Sequence, residues 1–427
     1  MPVSTSGWTR PEGLKPDYPM LDTDVETSVA IIGAGLAGAS LAFHLAEKNI
    51  ETIVLEARQP GWGASGRNAG HVMPTMRDFD VVRSFPDGGK AFLEAFREHH
   101  TLPFDLSKRL KIDCDAVRSG YLNVMESRDA FDDFKAQSAP LIKLGLQKIS
   151  AHHGSDVEKM TGSKRYSHAL MFHNGGRVNP YLFSNGMIAH AVANGAKVHG
   201  NSAATKLSRE GKRWRVHTGS GSVLADRIVF CTNAYPTGIV PQFTNCFYPL
   251  TAYGLTTKPL PAEAVARIMP GGQTLSEAPM DINPLVKDRH NRLILSSLPA
   301  MSAPEDAQWH FRNQLAWVHK TWPETQDMKI ELETYWTGRV ALRDTEFPGT
   351  FEIAQGVYGL MHFNAWGNIM APLMGKLFAE GLAADAMDRM PFPLTQPQAV
   401  SNPNKQQRNL RRVLLPAART AQRLGII

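Results

Sequence analysis

The stretch SVAIIGAGLAGASLAFHLAEKNIETIVLEAR, Ser28 to Arg58, decides the fold. Ser28–Ile32 is a short β-branched run suited to a parallel strand buried on both faces. Gly33-Ala34-Gly35-Leu36-Ala37-Gly38 follows as a glycine turn, and Ala39 to Lys48, rich in Ala and Leu, reads as a helix. A second strand, Glu51–Leu55, ends in Glu56. Strand, turn, helix, strand and acid together make a dinucleotide-binding unit. Gly33 permits the tight turn, Gly35 lets backbone approach a pyrophosphate, and Gly38 allows close helix–strand contact. The helix N-terminus offers free N–H groups and a positive dipole to phosphates. Glu56 stands where a carboxylate accepts ribose hydroxyls and repels a 2′-phosphate, which disfavours NADP. The nearly charge-free run Val29 to Ala46 is broken by three glycines and His44, so it reads as this unit and not as a membrane span.

The motif does not choose between FAD and NAD. The segment after it does more: Arg58, then Gly61-Trp62-Gly63-Ala64-Ser65-Gly66-Arg67-Asn68-Ala69-Gly70-His71, a polar glycine-rich loop where a simple NAD fold would start another helix. It offers amides, a hydroxyl and a guanidinium to a large polar ligand. On composition alone a plain surface loop stays open.

GAGLAG, LEAR and GASGRNAGH together resemble the FAD-dependent D-amino acid oxidase/glycine oxidase family, and within it the γ-glutamylputrescine and γ-glutamylpolyamine oxidoreductase group. The likeness continues through Gly175–Val198, Ile228–Pro236, Tyr248–Leu260, Tyr335–Gly349 and Asn364–Leu382. It implies an α/β fold in which a Rossmann-like FAD-binding domain (28–80, 171–235, 350–385) is interleaved with an antiparallel-sheet substrate domain (81–170, 236–349). An N-terminal extension (1–27) and a basic C-terminal arm (386–427) flank them. Noncovalent FAD would be held by Gly33, Ala34, Gly35, Leu36, Ala37, Gly38, Glu56, Ala57, Arg58, Ala64, Ser65, Arg67, Asn68, Ala69, Gly70 and His71. Ala204 at the adenine, Thr232 and Asn233 near phosphates and ribose, and Gly367, Asn368 and Ile369 at the isoalloxazine complete the set. That last trio precedes a helix read as Met370 to Leu382, with Pro372 in its first turn.

The resemblance also implies an arginine for the substrate carboxylate, but the matching position is Ala365, which weighs against free glycine or D-amino acids. Arg339 is a partial replacement. Tyr253 and Trp366 are candidate walls for an alkylamine, since an apolar cavity favours the neutral amine that can give up hydride. No catalytic acid or base is assigned. Relatives place an oxygen-activating lysine near the flavin; the strand Arg292–Ser297 has none, and Lys287 and Arg289 precede it in an expected turn. The reaction implied is oxidation of an amine C–N bond, with an N-methyl or D-amino acid dehydrogenase, or a flavin-binding subunit of a larger complex, as alternatives.

Elsewhere, helical patterns span Gly89–Leu110 and Arg128–Leu144, with a strand candidate at Gly120–Met125. Asn179-Pro180 reads as N-cap and first helical residue of a helix to about Ala193. Short strands follow at Lys197–His199, Ala204–Ser208, Trp214–Thr218, Val223–Ala225 and Ile228–Cys231, the last returning to the parallel sheet.

The 427 residues, 43% hydrophobic and 20% charged, exclude general disorder, and 35 Gly with 28 Pro show no period that would mark a repeat protein. The net charge of +6 is local: seven basic residues and no acid lie from Arg389 to Ile427, leaving the rest at −1. A nucleic-acid partner is therefore not expected. Three cysteines without a CxxC pair, and no apolar run after a basic start, fit a reducing, cytoplasmic setting without a secretory signal. Adjacent His99-His100 and His152-His153 point apart, and HExxH is absent, so no metal is expected. The partners expected are a small amine and an electron acceptor, oxygen or a quinone. The arm, with arginines alternating with Leu410, Val413, Leu414 and Leu415, reads as docked on its own domain ahead of a membrane-surface or RNA contact.

Overall fold

The computed structural model describes residues 6–8, 17–76, 78–236, 238–278, 282–300 and 306–423. Positions 1–5 and 9–16 of the expected N-terminal extension, and 424–427 of the arm, lie outside the described residues. The fold is mixed α/β. One eight-stranded sheet has the path Gly349–Ala354, Val357–Met361, Ser222–Phe230, Asp24–Ile32, Thr52–Leu55, Lys197–His199. The pairs from Val357–Met361 through to Lys197–His199 are parallel. Lys206–Glu210 and Arg213–His217 add antiparallel strands beside Ser222–Phe230.

The first strand starts at Asp24, earlier than the apolar run alone indicates, because Asp24–Thr27 pair with Ser222–Ala225. The two strands expected at Val223–Ala225 and Ile228–Cys231 are one, Ser222–Phe230. Its first half pairs with the meander and its second half with the parallel strand Val357–Met361. Chain from 24–55, 197–230 and 349–361 thus meets in one sheet.

The second eight-stranded sheet runs Leu332–Leu342, Tyr248–Thr257, Leu293–Ser297, Ile282–Lys287, Thr274–Glu277, Tyr121–Met125, His168–Phe172, Ile149–His153. All its pairs are antiparallel except Thr274–Glu277 with Tyr121–Met125. Strand His168–Phe172 runs across position 170, where the sequence reading sets a segment boundary. The helical pattern at Gly89–Leu110 is two helices, Lys90–His99 and Leu102–Arg109, with Pro103 in the first turn of the second.

Helix Leu36–Glu47 is buried along nearly its whole length, between helices Pro180–Ala193 and Gly367–Ala383. A Cβ on Gly375 would stand 2.8 Å from the Ala37 carbonyl, so glycine sets that approach. Ser40 donates from Oγ to the carbonyl of Pro372 (2.7 Å) across the same interface. Asn179 caps its helix as expected, accepting from the Leu182 amide (3.1 Å). Helix Gly367–Ala383 begins three residues before the expected Met370, so Pro372 sits in its second turn.

Candidate active site

The glycine turn is built to steric tolerance. Gly33 has φ +107°, and a Cβ there would lie 2.9 Å from the Cys231 carbonyl oxygen. A Cβ on Gly38 would lie 1.9 Å from the Gly33 carbonyl oxygen, so the helix can rise off the turn only with glycine at that position. Over the turn, Ser65 Oγ accepts from the Leu36 amide (2.8 Å), which fixes the following loop against the helix start. At the end of the second strand Glu56 accepts from the amides of Ala34 (2.8 Å) and Arg58 (2.9 Å). Burial raises its carboxyl above the ordinary range, and those N–H donors oppose the rise. The backbone amide of Ser202 donates to the Glu56 carbonyl and that of Asn201 to the Arg58 carbonyl, which brings the segment leading to Ala204 beside the acid.

Beyond the turn lies a cavity of about 1040 Å³. Ligand cavities commonly hold about 300–1,000 Å³, so this one has room for a large cofactor portion and a small substrate. On one side it is lined by Gly35, Leu36, Ala37, Ala64, Ser65, Arg67, Asn68, Ala69, His71, Asn233, Gly367 and Asn368. On the other side stand Tyr253 and Arg339. The structure therefore gathers fourteen of the sequence-selected residues around one space. Gly33, Ala34, Gly38, Glu56, Ala57, Arg58, Gly70, Ala204, Thr232 and Ile369 lie behind or beyond that lining.

Asn368, the second residue of its helix, donates from Nδ2 to Asn68 Oδ1 (2.9 Å) and to the His71 carbonyl (2.7 Å), joining the helix start to the loop across 300 residues. Its own Oδ1 is buried and receives no hydrogen bond. No acid occupies the helix's first turn, so the positive end of the dipole faces the cavity unopposed from within the helix. Asn233, at φ +47°, accepts from the amides of His362 (2.9 Å) and Phe363 (3.4 Å) and holds the strand before that helix. Arg67 donates to the carbonyls of Trp62 (2.6 Å) and Thr337 (3.0 Å), so it ties the loop to the second sheet. Glycines without room for a Cβ, a carboxylate at a strand end, an orphaned buried acceptor and a helix N-terminus fit a flavin dinucleotide.

Two expectations change, while Arg289 does lie in a turn. Trp366 does not line the cavity: its ring is turned inward, 2% exposed, 6.4 Å from Phe96, because Asn364 and Ala365 take left-handed backbone just before it. Lys287 ends a strand, not a turn, and its ammonium donates to the carbonyls of Val265 (2.9 Å) and Ile268 (2.8 Å), away from the cavity. Arg289 is paired with Asp113 (2.6 Å) and Asp115 (3.6 Å).

Tyr253 is on the wall as expected, half-buried, and stacks on His310 (centroids 3.9 Å apart, 23° between planes) with Tyr335 behind at 6.2 Å. Arg339 is exposed at the rim, and its guanidinium lies 5.8 Å from the Tyr235 ring. Ala365 sits on the cavity wall and brings no charge there. Sequence reading missed His310, Arg343 and the reach of the arm into the cavity, though the arm is docked on its own chain as expected. Leu410 and Leu415 line the cavity, while Gln407 donates to the Pro249 carbonyl (2.8 Å) and Arg411 to the Ala300 carbonyl (2.7 Å). Arg343 lies within the family-like block Tyr335–Gly349, so that block carried a signal for it; His310 has no motif. No helix among the described residues is long and apolar enough to cross a membrane, and none of their His, Cys, Asp and Glu side chains cluster to hold a metal ion.

Comparison with known proteins agrees with this geometry. The chain is 27% identical over 392 residues to the γ-glutamylputrescine oxidoreductase of Escherichia coli (strain K12), covering 88% of this chain and 90% of the relative. Its fold matches the L-proline dehydrogenase of P. horikoshii with a TM-score of 0.69 at 17% identity, over 85% of this chain and 94% of the other. It matches the glycine oxidase of Bacillus cereus ATCC 14579 with a TM-score of 0.68 at 17% identity, over 84% and 95%. The model of the DAO family, FAD dependent oxidoreductase, matches residues 28–381, and the chain belongs to that family, with noncovalently bound FAD as its cofactor.

Proposed function

We propose that this enzyme oxidises the C–N bond of a primary or secondary amine of the γ-glutamyl-polyamine kind. FAD, when bound, supplies the acceptor of a hydride from the carbon next to nitrogen, and water then converts the imine to aldehyde and amine. The observation that carries the reading is the second wall of the cavity: Tyr253, backed by buried His310 and Tyr335, and Ala365 where the family resemblance implies a carboxylate clamp. Burial in an apolar cavity favours the neutral amine, the form that releases hydride, over the ammonium. Arg339 at the rim suits a carboxylate or amide far from the reacting nitrogen. The 27% identity to a γ-glutamylputrescine oxidoreductase supports the same substrate class. The buried free thiols of Cys114, Cys231 and Cys246 support a reducing, cytoplasmic setting.

The test is loss of the yellow flavin absorbance when purified holoenzyme meets a panel of amines without oxygen. γ-Glutamylputrescine is expected to bleach it faster than D-alanine or glycine by about 100-fold, the range a missing bidentate contact costs. Equal rates with D-alanine overturn the assignment. For the acceptor, we place a dye or quinone ahead of oxygen. Lys287, the lysine nearest in sequence to the strand Leu293–Ser297, is spent on backbone carbonyls. Stopped-flow reoxidation by oxygen as fast as by dye would reverse that order.

A further inference from the structure

Behind the aromatic stack the cavity wall contains a directional hydrogen-bond chain that the flavin and amine chemistry leave unused. It starts at Glu277, 5% exposed, whose Oε1 accepts from Tyr166 Oη (2.7 Å), Trp317 Nε1 (2.9 Å) and Arg165 Nη1 (2.9 Å). Glu277 Oε2 accepts from Asn283 Nδ2 (2.8 Å). A carboxylate can only accept, so Asn283 must present its amide nitrogen to Glu277 and its oxygen to the other side. There Gln314 Nε2 donates to Asn283 Oδ1 (3.2 Å). The orientation of Gln314 is thereby fixed in turn, and its Oε1 is left as the terminal acceptor. That oxygen is buried and receives no hydrogen bond.

Asn283 and Gln314 both line the cavity, and Gln314 is 6% exposed. A buried acceptor without a donor is costly to leave unmet. The chain also has a polarity: an anion at its head draws each N–H toward it and makes each following carbonyl oxygen more negative. Arg165 offsets part of the head charge, being shared between buried Glu277 (2.9 Å) and the more exposed Glu126 (2.8 Å). Gln314 lies one helical turn from His310 on Ala307–Thr321, about 6 Å along the axis.

We propose that Gln314 Oε1, oriented through Asn283 by Glu277, is a distal subsite that accepts a hydrogen bond from a second nitrogen of the substrate, an ammonium in preference to an amide N–H. This rests on the amine-oxidase reading and narrows it: the substrate is a diamine or polyamine derivative, and a simple alkylamine of equal length leaves the acceptor unmet. Gln314 binds and selects; it touches no reacting atom.

The experiment uses holoenzyme with its flavin reduced by dithionite under nitrogen, so that binding is read by calorimetry without turnover. The ligands are 1,ω-diaminoalkanes of four to eight carbons and n-alkylamines of matching length. The expected result is about tenfold tighter binding of at least one diamine than of its alkylamine partner, and loss of that difference in Gln314→Leu with alkylamine binding unchanged. Asn283→Leu, which keeps the glutamine but removes the bond that orients it, is expected to shrink the preference for the diamine partway with alkylamine binding unchanged, a response that a purely structural role would not give. Equal weakening of both ligand types in Gln314→Leu, or the same preference with and without the glutamine, overturns the subsite. Failure of every amine to bleach the oxidised enzyme would instead overturn the amine-oxidase reading, and the two failures are read in separate measurements.

Discussion

The two walls of the cavity are built by different means. The wall formed by the glycine turn and loop is mostly backbone: Gly33, Gly35 and Gly38 exclude side chains, and Ser65, Glu56 and Asn68 hold amides in place. Most of its parts lie within Gly33–His71, with Asn233 and the Gly367–Ala383 helix joining from far away. The facing wall is mostly side chains, from strands Tyr248–Thr257, Leu293–Ser297 and Leu332–Leu342, helix Ala307–Thr321 and the arm. A ligand common to a family can be held by backbone, which any sequence keeps if the glycines stay. A ligand particular to one enzyme needs side chains that can change without disturbing the turn. Substitutions on the first wall should therefore abolish the holoenzyme, and substitutions on the second should retune it.

The largest expected effect is on the first wall. Glu56→Lys removes the carboxylate we propose as acceptor for ribose hydroxyls and leaves the amides of Ala34 and Arg58 facing an ammonium. Two charge-assisted bonds at about 1.5–3 kcal/mol each predict a loss in FAD affinity of about 100-fold or more. Protein that purifies colourless and stays so with added FAD meets the expectation. A yellow, fully loaded variant would mean that the backbone cradle alone suffices.

The next effect belongs to the helix that carries the first wall. His44 lies in Leu36–Glu47 with its ring nitrogen Nδ1 on the Ser40 carbonyl (2.8 Å). Burial pushes it down to about 4 from 6.5, helped by Lys376 and Arg109 and opposed by the Ser40 bond and Glu380. The unfolded chain therefore binds a proton that the folded chain refuses between pH 6.5 and 4. Its contribution is complete above about 6.5 and is lost as pH falls toward 4, by about 3 kcal/mol for a shift of that size. His362, fully buried and also depressed by burial, adds loss of the same sign. His44→Gln should flatten the acid limb of Tm against pH between 6.5 and 4.5. A limb of unchanged slope would assign the acid sensitivity elsewhere.

The same contrast explains what could be read from sequence. The unit Ser28–Glu56 is legible because each residue type answers a local backbone need, and Asn179-Pro180 is legible as a cap for the same reason. Trp366 was misplaced because its direction depends on left-handed backbone at Asn364 and Ala365, which the one-letter sequence does not announce. His310 and Gln314 have no local signature; their roles come from stacking on Tyr253 and bonding to Asn283, across 57 and 31 residues. The starts of strand Asp24–Ile32 and helix Gly367–Ala383 were missed by a few residues, since pairing with Ser222–Ala225 and the turn at Phe363–Trp366 set them.

The smallest effect concerns the arm, the outermost part of the second wall. Helix Pro403–Asn409 runs through a wider turn at Leu410–Leu414 into Leu415–Arg423, and among the arm's described apolar residues only Leu410 and Leu415 reach the cavity. Val413 and Leu414 remain outside, 58% and 56% exposed. Leu410 is half-buried, so Leu410→Ala removes part of one apolar contact, about 1 kcal/mol at roughly 25 cal/mol per Å². A substrate filling the cavity would meet this side chain in both ground and transition states, so KM should rise about threefold to fivefold while kcat holds. Tm should stay put, because Gln407 and Arg411 keep the arm attached through the Pro249 and Ala300 carbonyls. A fall in kcat with unchanged KM would show that the arm governs the chemical step or product release, and would move it from a wall of the site to a moving part of it.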